Sequence, residues 1–451
     1  MKSSVSNLAI QSALGLSAAS ALIYEVVATN FLFFYFVESS YSIAAVLSIF
    51  LLGLGVGSLL VYKIQSKITN KRALFGAFQL LIAVYAFFII SNLATIVPRV
   101  SALGLLVVTF VILFLPTVFL GAVFPLAALI YKQNNAEKEK TGIVYSTDLF
   151  GAILGSLLAG FVLVPLYGNK IAVLAGAVIN LFSAVVILPK KRRIIPLIFL
   201  VFVFPSISLS FAVKLPSQSY EFYSPSPFGE VVVSSGFLYI DGRGQCGFDS
   251  GENTFEKTLA GYALDSLNSR DLNVLNIGLG CGLTTEEVLS KVDGEVDVVE
   301  INRFVVKADE FFSNVSANDR VNLIIEDGLN YLKETKKKYD AILVDVENPA
   351  VAYSSDLYTV EAFKIIQKQL SFRGVFGLLS YGEDDRYLGI IYYSLKEVFP
   401  YVYNFPGVFL ASNTKLNFEE YAPSIPYAIN TVNRKILSQA YVNFGVQVLP
   451  L

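Results

Sequence analysis

Before Lys214 the chain is a succession of apolar stretches, each long enough to cross a lipid bilayer. No other feature limits the fold as much. In hydrocarbon every backbone polar group must be satisfied within the protein, so a chain of this kind can only build a helical bundle. A core about 30 Å thick takes about 20 apolar residues per helix. The expected spans are 8–37, 41–62, 73–97, 101–131, 143–166, 169–188 and 194–213. The first is too long for a cleavable signal peptide, and no small-residue cleavage pattern follows it, so it reads as a retained helix. Gly53, Gly55 and Gly57 recur at helical spacing, as do Gly151, Gly155 and Gly160. Small residues let helix backbones approach closely in lipid. Glu25 and Asp148 fall inside spans, where a charge is costly. They are either functional or bonded to each other or to a tyrosine such as Tyr24 or Tyr145.

Charge divides the chain in two. Up to Val213 there are 5 acidic and 14 basic residues, a balance of +9; from Lys214 onward there are 31 and 20, a balance of −11. The basic residues of the first half gather in the loops Lys63–Arg72, Lys132–Lys140 and Lys190–Arg193. Basic loops mark the cytoplasmic side. Seven spans would then put the second half outside, unless one stretch fails to cross. The 101–131 stretch, interrupted by Pro116 and Pro125, is where such a break is expected.

Two residue types exclude whole classes of chemistry. Histidine is absent, which removes Ser-His-Asp and Cys-His nucleophiles and histidine-ligated zinc. Two cysteines, Cys246 and Cys281, are too few for a disulfide framework or a cysteine-rich metal site. Acid–base work falls to carboxylates, Tyr or Lys.

The second half reads as alternating strands and helices. "FGEVVVSSGFLYIDGRGQ" is two strands joined at Ser234–Gly236. "NVLNIGLG", "EVDVVEIN", "VNLII", "YDAILVDV" and "GVFGLLSYG" are buried strands with helical segments between them. That pattern implies a parallel sheet covered on both faces. Gly278, Gly280 and Gly282 lie at the end of the first of these strands, where the backbone must turn and approach a ligand. Thr284 is placed to cap the following helix. Glu300 ends the next strand, where an acid can accept ribose hydroxyls. Asp327 ends a third, placed to meet an adenine amino group. Plain tight turns and a helix cap are the alternative. Glu286 and Glu287 crowd the first turn of the helix and disfavour a pyrophosphate there. A cationic nucleoside, S-adenosylmethionine or its decarboxylated form, fits better. Asp345 ends the fourth strand and can orient or deprotonate an amine.

These segments resemble the spermidine/spermine synthase family, the aminopropyltransferases. "LYIDGRGQ", which contains Gln245, is similar to the strand before the family's gatekeeping segment. "NIGLGCG" corresponds to its glycine loop, "VVEIN" to its ribose-binding acid and "EDG", with Asp327 and Gly328, to its adenine-binding acid. "DVENPAVAYSSDLYTVEAF" carries the catalytic aspartate, here Asp345. In the first half "ALIYEVV", "LLGLGVGSLL", "GAVFPL" and "VYSTDLFGAILGSLLAGFVLVPLYG" resemble the membrane-embedded branch of the family. The resemblance implies transfer of an aminopropyl group from decarboxylated S-adenosylmethionine to an amine, with release of methylthioadenosine. The donor is a co-substrate; no tightly bound cofactor and no metal is implied. Four positions depart from the family. Cys281 stands for an aspartate, Phe255 follows Thr254 where a Tyr-Gln/His pair is usual, Gly229 replaces a glutamine, and Asn348 replaces a second acid. The polyamine-binding half of the site is therefore expected to be rewritten, with an acceptor of larger apolar body or a single amine.

The expected architecture is an N-terminal polytopic α-helical membrane domain over 1–213, a β-strand region over 214–250 and a Rossmann-like, methyltransferase-like α/β domain over 251–451. The expected partners are a small-molecule amine and the lipid bilayer, with no nucleic acid and a homodimer as an option. The soluble half is placed on the cytoplasmic side of the cell membrane, because adenosyl sulfonium donors are made in the cytosol. Two other readings stay open: an S-adenosylmethionine-dependent transferase acting on another amine or a lipid head group, and a non-catalytic transporter or sensor that binds polyamine or nucleoside.

Overall fold

The computed structural model describes residues 6–35, 39–96, 102–134, 141–199, 220–247, 254–346, 354–380, 385–419, 423, 427–433 and 437. The chain forms two compact units, one within residues 1–217 and the other within 218–450 apart from short stretches at 37–39 and 451.

The first unit is helical: α1 (Asn7–Tyr35), α2 (Ser39–Ile64), α3 (Lys71–Ile96), α4 (Ala102–Asn134), α5 (Thr141–Leu158), α6 (Val164–Ile187) and α7 (Ile194–Ile198). A π-helical turn, Ala159–Leu163, joins α5 to α6, and the helical path breaks at Gly168, whose φ is 79° and ψ 169°. Ala159 and Ala172 both pack against Ile23 and Val27. In a straight helix these alanines would be about 20 Å apart, so the chain doubles back at Gly168. Gly151 and Gly155 lie against the backbone of Gly15 and Ala19, and a Cβ on either would come within 2.2 Å of a carbonyl oxygen. Helices α1 and α5 therefore run parallel at the closest spacing. Gly53 and Gly57 play the same part between α2 and α4, but Gly55 and Gly160 face open space, so the close-packing expectation fails for those two. A buried polar chain ties α1, α3 and α6. Tyr24 donates to Asn180 (2.9 Å), Asn180 to Gln79 (2.6 Å) and Gln79 to Ser17 (2.7 Å). The Tyr24 hydroxyl is thus engaged by an amide, not by Glu25 or Asp148.

Helix α4 runs unbroken through Pro116 and Pro125, against the expected interruption. A proline lacks the N–H that would bond the carbonyl four residues earlier. Those carbonyls belong to Ile112 and Gly121. Tyr85 of α3 donates to the first (2.9 Å) and Ser58 of α2 to the second (2.8 Å). The helix survives because its neighbours supply the missing donors. Ser58→Ala is expected to cost about 0.5–1.5 kcal/mol, read from unfolding of the detergent-solubilised full chain. In a Pro125→Ala background, where the residue 125 amide can bond Gly121 itself, the same change should cost little. Equal costs in both backgrounds would contradict this account.

The second unit opens with an antiparallel ribbon of four strands in sequential order, β1 (Tyr220–Ser224), β2 (Val231–Ser234), β3 (Phe237–Ile240) and β4 (Arg243–Gly247). Two strands were expected. The β2–β3 turn is at Ser235–Gly236, and the Asp241–Gly242 pair, both at positive φ, makes another two-residue turn into β4. Asp-Gly between alternating residues is a strong hairpin signal.

The main sheet has seven strands: β5 (Val274–Ile277), β6 (Val296–Glu300), β7 (Val321–Ile325), β8 (Tyr339–Val344), β9 (Leu370–Leu379), β10 (Tyr401–Phe405) and β11 (Val408–Ser412), in the order β10-β11-β9-β8-β5-β6-β7. Strands β5 to β9 are parallel, and β11 pairs antiparallel with both β9 and β10. The sheet is therefore mixed, not wholly parallel. Alternate residues face opposite layers. Val274, Val298 and Leu343 meet α8 (Phe255–Asp265), α9 (Leu283–Lys291) and α10 (Arg303–Ala308) on one side. Leu275, Ile342 and Val344 meet α11 (Gly328–Glu334), α12 (Val360–Gln369) and α13 (Asp385–Lys396) on the other. This is a Rossmann-like, methyltransferase-like domain. The strand order reverses between β5 and β8, and a ligand crevice in such a sheet lies beyond the carboxyl ends at that point. The expected domain limits at 213 and 250 fall outside the described residues.

Candidate active site

A cleft open to solvent lies at the carboxyl ends of β5, β6 and β8. Gly278, Gly280 and Cys281 come to its wall from the turn after β5, Glu300 from β6, and Asp327 and Gly328 from the turn after β7. Asp345 comes from the end of β8, and Gln245 and Cys246 from β4. Of the residues expected at the site, only Gly282 is absent from the lining. It starts α9 at φ 77°, with Ser313 where a Cβ would go. The cap of α9 is thus Gly282, not Thr284, which lies inside the helix and is buried.

Gly278 shows what the glycine turn is for. Its φ is +97°, and a Cβ there would sit 2.1 Å from the backbone carbonyl oxygen of Asp345. The turn makes room for the tip of β8, and so sets where Asp345 stands. Tyr358 fixes the same tip with its hydroxyl, which lies against the carbonyls of Val346 and Leu379 and can donate to either. Glu300 locks the turn from the other side. Its Oε2 accepts from the Leu279 amide (2.9 Å) and its Oε1 from the Asn302 amide (2.8 Å). Burial raises the Glu300 carboxyl, and these amide donors pull it back. Asp327 caps α11 through Oδ1, which accepts from the Asn330 amide (2.9 Å). The cap reading thus holds for one oxygen of a side chain that also faces the cleft.

Asp345 is the most perturbed group in the cleft. Burial, with Glu256 beside it and Glu300 further off, pushes its carboxyl up to about 8. The Thr284 hydroxyl works against that shift. The same hydroxyl lies 3.3 Å from the Glu256 carbonyl and can donate to one of them at a time. Glu256, 9% exposed, also lines the cleft; the resemblance puts the family's conserved glutamate at this position, although it was not among the expected site residues.

The charge of the cleft is one-sided. Among the described residues its lining holds Glu256, Glu300, Glu326, Asp327 and Asp345, and no Lys or Arg. The expected exclusion of phosphate by Glu286 and Glu287 has a different origin. Those two face outward and pair with Lys257 (3.5 Å) and Lys291 (3.6 Å). The acidic side chains of the lining, with no Lys or Arg among the described residues there, disfavour an anion instead.

The profile of the spermine/spermidine synthase domain matches residues 252–396, which carry the glycine turn, Glu300, Asp327 and Asp345. Residues 252–396 thus carry a spermine/spermidine synthase domain. It is 24% identical over 338 residues to polyamine aminopropyltransferase 2 of Aquifex aeolicus, covering 67% of this chain and 68% of that one. It is 25% identical over 416 residues to the polyamine aminopropyltransferase of Oceanobacillus iheyensis, covering 84% and 76%. The match to the enzyme of Saccharolobus solfataricus is closer, 34%, but takes in 36% of this chain and 56% of that one. A crystal structure of spermidine synthase from Thermotoga maritima overlays 49% of this chain and 83% of its own at 21% identity, with a TM-score of 0.38. The matched domain and the relatives named polyamine aminopropyltransferase support an aminopropyltransferase enzyme.

Within the family frame, three of the four departures need a new reading. Gly229 has φ +111°, and a Cβ there would meet the Asp241 carboxylate at 2.7 Å; it shapes the ribbon and does not line the cleft. Phe255 is 42% exposed and covers Gly407. Asn348 lies outside the described residues. Of the three described departures only Cys281 is at the wall, and it is bonded to Cys246 with a Cα–Cα distance of 6.0 Å. Two cysteines were too few for a framework, yet they form this one bridge.

Proposed function

We propose that the protein is a membrane-bound aminopropyltransferase whose donor is decarboxylated S-adenosylmethionine and whose acceptor is a primary amine. The observation that carries this reading is a cleft at the strand tips whose described lining holds five acidic side chains and no Lys or Arg. Such a wall favours a sulfonium nucleoside and a cationic amine, and repels a phosphate or a free carboxylate. Glu300 is assigned to the ribose, Asp327 to the adenine, and Gly278, Gly280, Cys281, Gly282, Gly328 and Gln245 to the shape of the donor pocket.

In the reaction the amine nitrogen, uncharged, attacks the aminopropyl carbon bound to sulfur. The new C–N bond forms as the C–S bond breaks. The electron pair goes to sulfur, and methylthioadenosine leaves as a neutral thioether. The product nitrogen is then cationic and gives up one proton. Asp345, ionised once a cation sits beside it, orients the amine and takes that proton. Positioning supplies most of the rate.

Membrane placement rests on the helical unit. Among the described residues four helices are long and apolar enough to span a bilayer, and the last, Gly142–Ile187, holds 46 residues. At 1.5 Å per residue that is about 69 Å, roughly two crossings, which agrees with the break at Gly168. Outward faces carry Phe161 (77% exposed), Phe150 (67%) and Leu154 (66%), side chains suited to lipid.

The test is calorimetric titration of the solubilised full chain with two nucleosides. Decarboxylated S-adenosylmethionine should bind at least about tenfold more tightly than S-adenosylmethionine, whose extra carboxylate would face the acidic wall, a difference of about 1.4 kcal/mol. The reverse order would overturn the reading in favour of a methyl or other S-adenosylmethionine transferase.

A further inference from the structure

The Cys246–Cys281 bridge and the basic loops are separate observations that concern one question, the compartment in which the cleft works. The bridge joins the last strand of the ribbon to the glycine turn, and both of its cysteines line the cleft. Disulfides form and persist in oxidising compartments, the cytosols of hyperthermophiles being the exception.

The helical unit gives the second observation. Ile10, Val61, Phe75, Tyr131, Val144 and Ile187 belong to one buried cluster. They sit at the start of α1, the end of α2, the start of α3, the end of α4, the start of α5 and the end of α6. All three basic loops therefore emerge at one end of the bundle. Arg72 and Arg193 reinforce that end by donating to the last carbonyls of α6, at Ile187 (3.1 Å) and Leu188 (2.9 Å). In the sequence the three basic loops hold 11 of the 14 Lys and Arg before Lys214, against Arg99 between α3 and α4 and Lys170 near the start of α6. By the charge rule the crowded end is cytosolic. Residues 194–213 hold no charged side chain and are long enough for one more crossing.

We infer that the catalytic unit works outside the cytosol, in an oxidising compartment, on a nucleoside donor and an amine that reach it there. This reverses the cytoplasmic placement expected from where sulfonium donors are made. The donor must then be supplied by export or by synthesis outside. The inference rests on the membrane-spanning reading above, and the experiment separates the two.

The full chain is expressed with its native cysteines and one added surface thiol, either Lys336→Cys in the catalytic unit or Lys191→Cys at the basic end. Both side chains are exposed. Membranes are first washed with alkaline carbonate; release of the chain would overturn the membrane reading and the inference together. With the chain retained, intact cells opened only at the outer wall are treated with a membrane-impermeant maleimide. Lys336→Cys should label at least tenfold more than Lys191→Cys. In the unmodified chain, rapid alkylation in cells should find Cys246 and Cys281 oxidised. Stronger labelling of Lys191→Cys, or free thiols at both native cysteines, would overturn the inference and leave the enzymatic reading intact.

Discussion

Replacing Asp345 by asparagine is expected to lower turnover by about 10²-fold or more, the usual worth of a positioned base, while donor affinity changes little. Asparagine keeps the shape of the strand tip but takes no proton. The same change should alter stability with a definite sign. The folded carboxyl is held up at about 8, well above its unfolded value of about 4. Below about pH 4 both states are protonated, and the group costs nothing. Between about pH 4 and 8 the unfolded chain ionises first, so the folded state loses stability as pH rises; above about 8 the loss is complete. Asp345→Asn removes that loss. The variant should gain on the wild type by at least about 1 kcal/mol more at pH 8 than at pH 4, measured by thermal unfolding of the full chain. Turnover within threefold of wild type would make Asp345 structural, and a gap independent of pH would contradict its buried, protonated state.

Glu300→Ala is expected to weaken methylthioadenosine binding by about 1.5–3 kcal/mol, roughly 10- to 100-fold. Two effects combine. The ribose loses a charged acceptor, and the Leu279 and Asn302 amides lose theirs, so the glycine turn itself loosens. Glu300→Gln separates them, because its one remaining acceptor can hold an amide but carries no charge. It should fall between wild type and alanine. Unchanged calorimetric affinity in a folded Glu300→Ala chain would sink the assignment.

What the sequence discloses depends on the range of the interaction. The apolar stretches announce helices α1 to α6 because helix length and lipid thickness are local properties. Gly278 and Glu300 are legible because a strand, a tight turn and an acid at the next strand end form one local unit. The reason for the glycine is not legible. It accommodates the backbone of Asp345, 67 positions away in sequence. The donors that rescue α4 come from other helices, so Pro116 and Pro125 look like breaks until Tyr85 and Ser58 are seen beside them. The cysteine pair spans 35 residues, and nothing local says that β4 reaches the glycine turn. Thr284 looks like a cap because threonines commonly are, yet Gly282 in the left-handed region begins the helix two residues earlier. The ribbon strand Arg243–Gly247 and the β10–β11 hairpin were missed for a different reason. Their turn signals, Asp241-Gly242 and Pro406-Gly407, are local, but each strand is short and shows no alternation of its own.

The central claim is aminopropyl transfer by this chain. Membranes containing it are incubated with decarboxylated S-adenosylmethionine labelled in the aminopropyl group and a mixed panel of amines that includes putrescine, larger apolar amines and aminolipid vesicles. Products are then searched by mass spectrometry. The account predicts a labelled aminopropyl adduct of at least one amine, formed together with methylthioadenosine and lost in Asp345→Asn. Tight binding of the donor with no adduct of any amine, under conditions where the wild-type chain is folded, would contradict it.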